Sequence, residues 1–135
     1  MKQASYDLFE KSSIDTIVKA IGDELLTRNE SPFWADKVVP FSRAILSVLI
    51  PLRNEKRLFT PEGKEVGVLT PELFLAWSDF VSLKSLYFRV EGVEVDTLAR
   101  YLHRYSVNLE DESLDFPISN YNLHQGVSNV IKSLL

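Results

Sequence analysis

The sequence contains no cysteine, one methionine and five glycines among its 135 residues. Without cysteine, the chain can form no disulfide, thiolate zinc site or cysteine nucleophile, which fits a reducing compartment or indifference to redox state. The glycines form neither of the phosphate-binding patterns G-x-x-x-x-G-K-[ST] and G-x-G-x-x-G, and Gly63-Lys64 is predicted as a turn. The chain therefore lacks the common nucleotide-binding loops.

Histidine is also scarce, since only His103 and His124 are present and neither belongs to a metal-binding pattern. We predict that both lie on the surface and that the chain uses no metal or other cofactor. Four carboxylates cluster near the C-terminus, at Glu110, Asp111, Glu112 and Asp115. Their spacing does not match a calcium-binding loop. A solvated acidic loop is the first interpretation, and a contact for a basic partner is the second.

No apolar run is long enough to span a bilayer. The longest, residues 44–52, has nine residues, whereas a transmembrane helix needs about 20. The first ten residues, MKQASYDLFE, lack the apolar centre of a signal peptide. We expect a chain that does not cross a bilayer by itself and makes no direct membrane contact. Its length predicts one domain over residues 1–135, with residues 1–11 and the loop 107–118 less ordered.

The formal net charge is −4, and it is unevenly distributed: residues 106–135 hold four acidic groups and one basic group. An acidic chain is a poor non-specific ligand for nucleic acid.

Apolar residues recur at helical spacing in six segments, and no segment alternates with the period of a strand. We therefore predict an all-α domain of about six helices. The first helix follows Ser12 and Ser13, and the third follows the cap Thr70 and extends to about Phe80. Ser82 is predicted to cap the fourth, which Gly92 ends. The fifth spans about residues 95–106, and the last begins at Ser119 or Asn120.

The most apolar segment, residues 31–52, contains Pro40 and Pro51. Proline inside a helix removes a hydrogen bond. Both prolines share one narrow polar stripe, so the helix could bend with that stripe toward water. We predict a single bent helix of about 24 residues beginning at Ser31-Pro32; two or three shorter helices are the alternative.

Three groups of residues are candidates for contact with a partner or nucleic acid. Arg100, His103 and Arg104 form a basic stripe on the fifth helix that could hold phosphate or carboxylate. A second basic group lies at the end of the long helix. In the third group, an aromatic residue predicted to be exposed beside a lysine could stack on a base or contact a partner. These two groups are Arg53, Lys56 and Arg57, and Lys84 with Phe88. The alternative for each charged group is an ordinary solvated surface, and for Phe88 the alternative is the core.

Residues 12–90 resemble the all-α domain of coupling-protein ATPases of conjugation and type IV secretion. The resemblance depends on Phe33-Trp34 opening a long helix, on the run 43–46 (RAIL), on Leu52-Arg53 near the helix end, and on Leu83 and Leu86 in a following short helix. In that family the domain is inserted in a membrane-anchored ATPase motor on the cytoplasmic side. The resemblance implies a fragment excised from such a protein, with Met1 as an introduced start.

The resemblance implies a substrate-recruiting domain of bacterial plasmid DNA transfer. Its partners would be a relaxase or another secreted protein, the parent motor domain, and single-stranded DNA as a second ligand. No catalytic or contact residue carries over, so the basic candidates depend on local spacing alone. The alternative is a free-standing helical regulator that binds duplex DNA; the missing motifs disfavour an enzyme.

Overall fold

In a computed structural model, residues 2–28, 32–112 and 117–134 are described, and these ranges contain seven α-helices and no strand. The helices are α1 (Lys2–Lys11), α2 (Ile14–Thr27), α3 (Pro32–Asn54), α4 (Pro71–Ala76), α5 (Phe80–Arg89), α6 (Asp96–Arg104) and α7 (Ile118–Leu134). The predicted all-α fold is confirmed. The helix α7 begins just before the predicted residues.

The helix α3 is continuous through both prolines, as predicted. Pro40 and Pro51 are half-buried, and Asp36, Arg43 and Asn54 on the same stripe are exposed. The opposite faces of α3 are packed in the core from Val38 to Leu52. The proposed cap Ser31 lies outside the described residues. Placing the prolines near solvent lets one apolar helix carry two of them without burying the carbonyls that they leave unpaired.

The core surrounds α3, which contacts α2, α4, α6 and α7. Phe41 lies at its centre, with its ring centroid 6.3 Å from that of Phe74, 6.0 Å from Tyr101 and 5.2 Å from His124. The helix α7 approaches α3 closely at Gly126, where an added Cβ would lie 2.6 Å from the Trp34 ring. The side of α7 that carries Gly126 therefore packs directly against the aromatic side chain of Trp34 on α3.

The segment between α3 and α4 is a turn followed by an irregular stretch. The Gly63 amide donates to the Thr60 carbonyl over 2.8 Å, and Gly63 has φ of 92°, which glycine adopts without strain. An isolated bridge pairs Phe59 with Glu65. The Thr70 hydroxyl then accepts from the Leu73 amide at 3.1 Å, so the predicted cap of α4 is confirmed.

The boundary between α4 and α5 differs from the prediction. The helix α4 ends at Ala76 rather than near Phe80, and the cap of α5 is Asp79, not Ser82. The Asp79 carboxylate accepts from the Ser82 amide at 2.8 Å and from the Ser82 hydroxyl at 3.2 Å. Asp79 has the extended backbone that a cap residue adopts, and its carboxylate also interacts favourably with the positive end of the helix.

The Asp79→Ala substitution should therefore cost about 1 kcal/mol of unfolding free energy, while Ser82→Ala should cost less than about 0.5 kcal/mol. Urea denaturation of the two variants checks this difference. Equal losses, or a larger loss for Ser82→Ala, would mean that Asp79 does not cap the helix.

The helix α1 was not predicted, since residues 1–11 were expected to be less ordered. Phe9 is buried, with its ring centroid 5.2 Å from that of Phe74, and the Tyr6 hydroxyl donates to the Glu72 carboxylate. The Arg53 guanidinium donates to the carbonyls of Phe9 at 3.0 Å and Ser12 at 2.7 Å. One buried ring and one arginine thus hold this helix against the core.

Candidate functional site

The clearest candidate site is a groove between α3 and α6, which we call the α3–α6 groove. It consists of two adjoining cavities of about 320 and 140 Å³, which share Pro40, Tyr101 and Arg104 in their walls. Val39, Arg43, Thr97 and Arg100 complete the larger cavity, and Asp36, Lys37, Tyr105, Asn120 and Leu123 complete the smaller one. Pro40, one of the two half-buried prolines of α3, therefore lies where the two cavities meet.

Two of the predicted contact residues, Arg100 and Arg104, lie in this groove. They are four residues apart on the exposed side of α6, while Leu98, Tyr101 and Leu102 on its other side are buried. The strong separation of polar and apolar positions in α6 fixes this orientation. The predicted helix face is confirmed. His103 is also exposed, but it does not line either cavity.

The three arginines of the larger cavity differ in how far other groups engage them. Arg43 donates to the Asp15 carboxylate at 2.7 Å. Arg100 reaches only the Asp96 carbonyl, at 3.4 Å. Arg104 makes no hydrogen bond or ion pair with any residue that the structure describes. Arg100 and Arg104 are thus the guanidiniums most available to a ligand.

The smaller cavity carries charges of both signs. It is lined by the exposed Asp36 carboxylate and by Lys37, whose ammonium lies 5.4 Å from the centre of the Phe33 ring. The Asn120 amide donates to the Tyr105 carbonyl at 2.9 Å. Sequence reasoning did not bring Lys37, Arg43 and Asp36 together with the α6 stripe, because only the packing of α3 on α6 makes them neighbours.

A buried polar network lies behind the groove. Tyr101 shares a 2.8 Å hydrogen bond with Nδ1 of His124, and Nε2 of His124 is 2.6 Å from the Ser78 carbonyl. A carbonyl only accepts, so Nε2 carries the proton and the Tyr101 hydroxyl donates to Nδ1. The prediction that His124 lies on the surface is wrong, since its side chain is fully buried.

Burial lowers the pKa of His124 to about 4 and raises the pKa of Tyr101. The imidazole is neutral at neutral pH, stacked 4.1 Å from the centre of the Phe80 ring. The network has no exposed reactive atom and serves to satisfy the polar groups of the core.

The second predicted pair, Lys84 and Phe88, is not an exposed contact surface. Lys84 is 1% exposed and Phe88 is half-buried. Lys84 follows Phe80 by four residues, so both side chains lie on the inward face of α5. The prediction of an exposed aromatic residue, Phe88, beside this lysine is therefore wrong.

The third predicted group is divided by the fold. Arg53 is half-buried and fastens α1, as described above; burial lowers the pKa of its guanidinium. Lys56 and Arg57 are exposed, but Arg57 donates to the Glu91 carbonyl at 2.7 Å. Within this group, Lys56 is the one residue whose side chain makes no hydrogen bond to another described residue.

Within residues 2–28, 32–112 and 117–134, no three histidine or carboxylate side chains cluster closely enough to hold a metal ion. Nor is any helix in the part described both long and apolar enough to cross a membrane. A comparison with family models, characterised proteins and solved structures gives no match to this chain.

Proposed function

We propose that this chain is a substrate-recruiting, all-α domain of a conjugative or type IV secretion coupling protein, acting on the cytoplasmic side of the inner membrane. It recruits a relaxase or another secreted protein, with single-stranded DNA as a second ligand, and it performs no catalysis. The parent ATPase motor would lie elsewhere in the protein. The sequence basis is the resemblance of residues 12–90, including Phe33-Trp34 at the start of α3.

The observation that carries a binding role is the α3–α6 groove. It gathers Arg43, Arg100 and Arg104 from two helices at one surface cleft. Arg43 is paired with Asp15, but Arg100 and Arg104 have no acidic partner among the described residues. These two guanidiniums are therefore available to hold an anionic group.

The overall charge supports a protein as the main partner. A formal net charge of −4 opposes the approach of nucleic acid at long range. The same charge favours the approach of a basic protein, and relaxases are often basic. The nine-residue helix α6 exposes two arginines and a histidine together with the carboxylate residue Asp96, which is a poor recognition surface for duplex DNA.

The test is a binding titration of the purified chain against a relaxase, a single-stranded oligonucleotide and a duplex of the same sequence, each over a series of salt concentrations. We expect the relaxase to bind most tightly and the duplex to bind weakly, with an affinity that falls steeply with salt. Sequence-specific duplex binding without relaxase binding would contradict the proposal and favour a free-standing DNA-binding regulator.

A further inference from the structure

We propose that the α3–α6 groove binds an acidic peptide segment, with an Asp or Glu side chain of the peptide in the larger cavity. This inference rests on the proposed function, because the segment would belong to the protein that the domain recruits. It specifies which part of the surface is used and which chemistry it recognises.

The larger cavity selects an anion. Its described lining contains three arginines and no carboxylate, and of the three only Arg43 is paired with an acidic side chain, that of Asp15. Arg104 has no partner among the described residues and Arg100 has only a long hydrogen bond to a carbonyl. Guanidinium groups bind carboxylates through paired N–H donors, which gives both strength and orientation. Thr97, at the same rim, adds a hydroxyl.

The smaller cavity selects against a continuous polyanion. The exposed Asp36 carboxylate lines this cavity and would repel a phosphate that entered it. A peptide has neutral amides on both sides of its acidic residue. Its N–H groups can donate to Asp36, and its carbonyls can accept from Lys37.

The groove also has apolar surface. Pro40 and Tyr101 line both cavities, and Val39 lines the larger one; Val39 and Pro40 are half-buried. This surface can cover an aliphatic side chain next to the acidic residue, which is favourable because apolar area is removed from water. The groove thus matches a peptide in which acidic and aliphatic residues are adjacent.

The experiment measures fluorescence anisotropy with three labelled probes. They are a 12-residue peptide with one central glutamate between two leucines and otherwise neutral residues, the same peptide with glutamine in place of glutamate, and a 12-nucleotide single strand. At low salt we expect the glutamate peptide to bind at least about tenfold more tightly than either other probe. Equal binding of the glutamine peptide, or tighter binding of the single strand, would overturn the proposal.

Variants then locate the site. Arg100→Glu combined with Arg104→Glu should weaken binding of the glutamate peptide at least about tenfold, and so should Arg100→Gln with Arg104→Gln if the first pair proves unstable. The matched control is Lys11→Glu with Lys64→Glu, which makes the same change in net charge at exposed positions outside the groove. If the control variant weakens binding as much as the Arg100 and Arg104 variants do, the effect is one of general charge and the proposal is overturned.

The same variants separate this inference from the proposed function. If the domain binds a relaxase and the Arg100→Glu, Arg104→Glu variant binds it equally well, the groove assignment fails and the recruiting role stands. If the glutamate peptide binds in the groove and no relaxase binds, the groove assignment stands and the coupling-protein role fails.

Discussion

The Phe41→Ala substitution should lower the free energy of unfolding by about 3–5 kcal/mol. Phe41 is fully buried on α3, and its ring faces Phe74 of α4, Tyr101 of α6 and His124 of α7. Removing it takes away apolar burial and aromatic contacts with three helices at once, and leaves a cavity that their backbones are too constrained to fill. Since domains of this size are stable by about 5–15 kcal/mol, the variant would lose a large part of its stability.

Urea denaturation followed by circular dichroism measures this loss. Phe33→Ala is the matched control, because Phe33 lies on the same helix with its side chain 50% exposed, and it should cost less than about 1 kcal/mol. Phe41→Leu, which keeps most of the volume, should fall between the two variants. If Phe41→Ala were no more costly than Phe33→Ala, the position of α3 at the centre of the core would be wrong.

The second large effect is a loss of stability in acid that arises from His124. The ordinary pKa of histidine is 6.5, and burial lowers that of His124 to about 4. Between these two values the unfolded chain binds a proton that the folded chain does not, so stability falls as the pH is lowered from 6.5 to about 4. The difference in pKa corresponds to about 3 kcal/mol of unfolding free energy, which is lost as the pH falls through that interval. Above pH 6.5 this loss does not occur.

Carboxylates also titrate near the lower end of this interval, so the measurement compares two proteins. His124→Gln keeps a donor for the Ser78 carbonyl and an acceptor for the Tyr101 hydroxyl, but it cannot gain a proton. Unfolding free energies at pH 7, 6, 5 and 4.5 should decline more steeply for the wild type than for this variant. His103→Gln, at the exposed histidine, should behave like the wild type. Parallel curves for the wild type and His124→Gln would show that His124 is not buried in its neutral form.

The parts of the fold that the sequence predicted were those decided by local chemistry. Thr70 followed by proline and an acidic residue caps α4, and the apolar face of α6 is the one that is buried. The two prolines of α3 were placed correctly because their spacing follows the polar stripe of a helix. In each case a few neighbouring residues determine the outcome, so tertiary packing has little to change.

The errors came from positions that packing decides. His124 was assigned to the surface because histidine is polar, although it precedes the buried Val127 and Ile131 by three and seven residues. That spacing was a readable signal of an inward position. Lys84 was misplaced because the predicted helix began after Ser82 and so excluded Phe80. With Asp79 as the cap of α5, Lys84 lies one helical turn after the buried Phe80.

The candidate site was only half accessible to sequence reasoning. Arg100 and Arg104 could be found because they are four residues apart on one helix. Arg43 is more than fifty residues away in the chain, and nothing in its own surroundings shows that it lies across a groove from them. Only the contact of α3 with α6 brings the two helices together.

The central position of α3 also affects how the chain matures during synthesis. Helix α3 emerges from the ribosome well before α6 and α7, which contribute much of its cover. Until those later segments are synthesised, the nascent polypeptide carries a long apolar helix that is uncovered on two of its sides, and exposed apolar surface of this kind promotes aggregation. Translation of the last third of the described chain is therefore the interval in which chaperone protection has most value, and a stalled or truncated product would be a target for degradation.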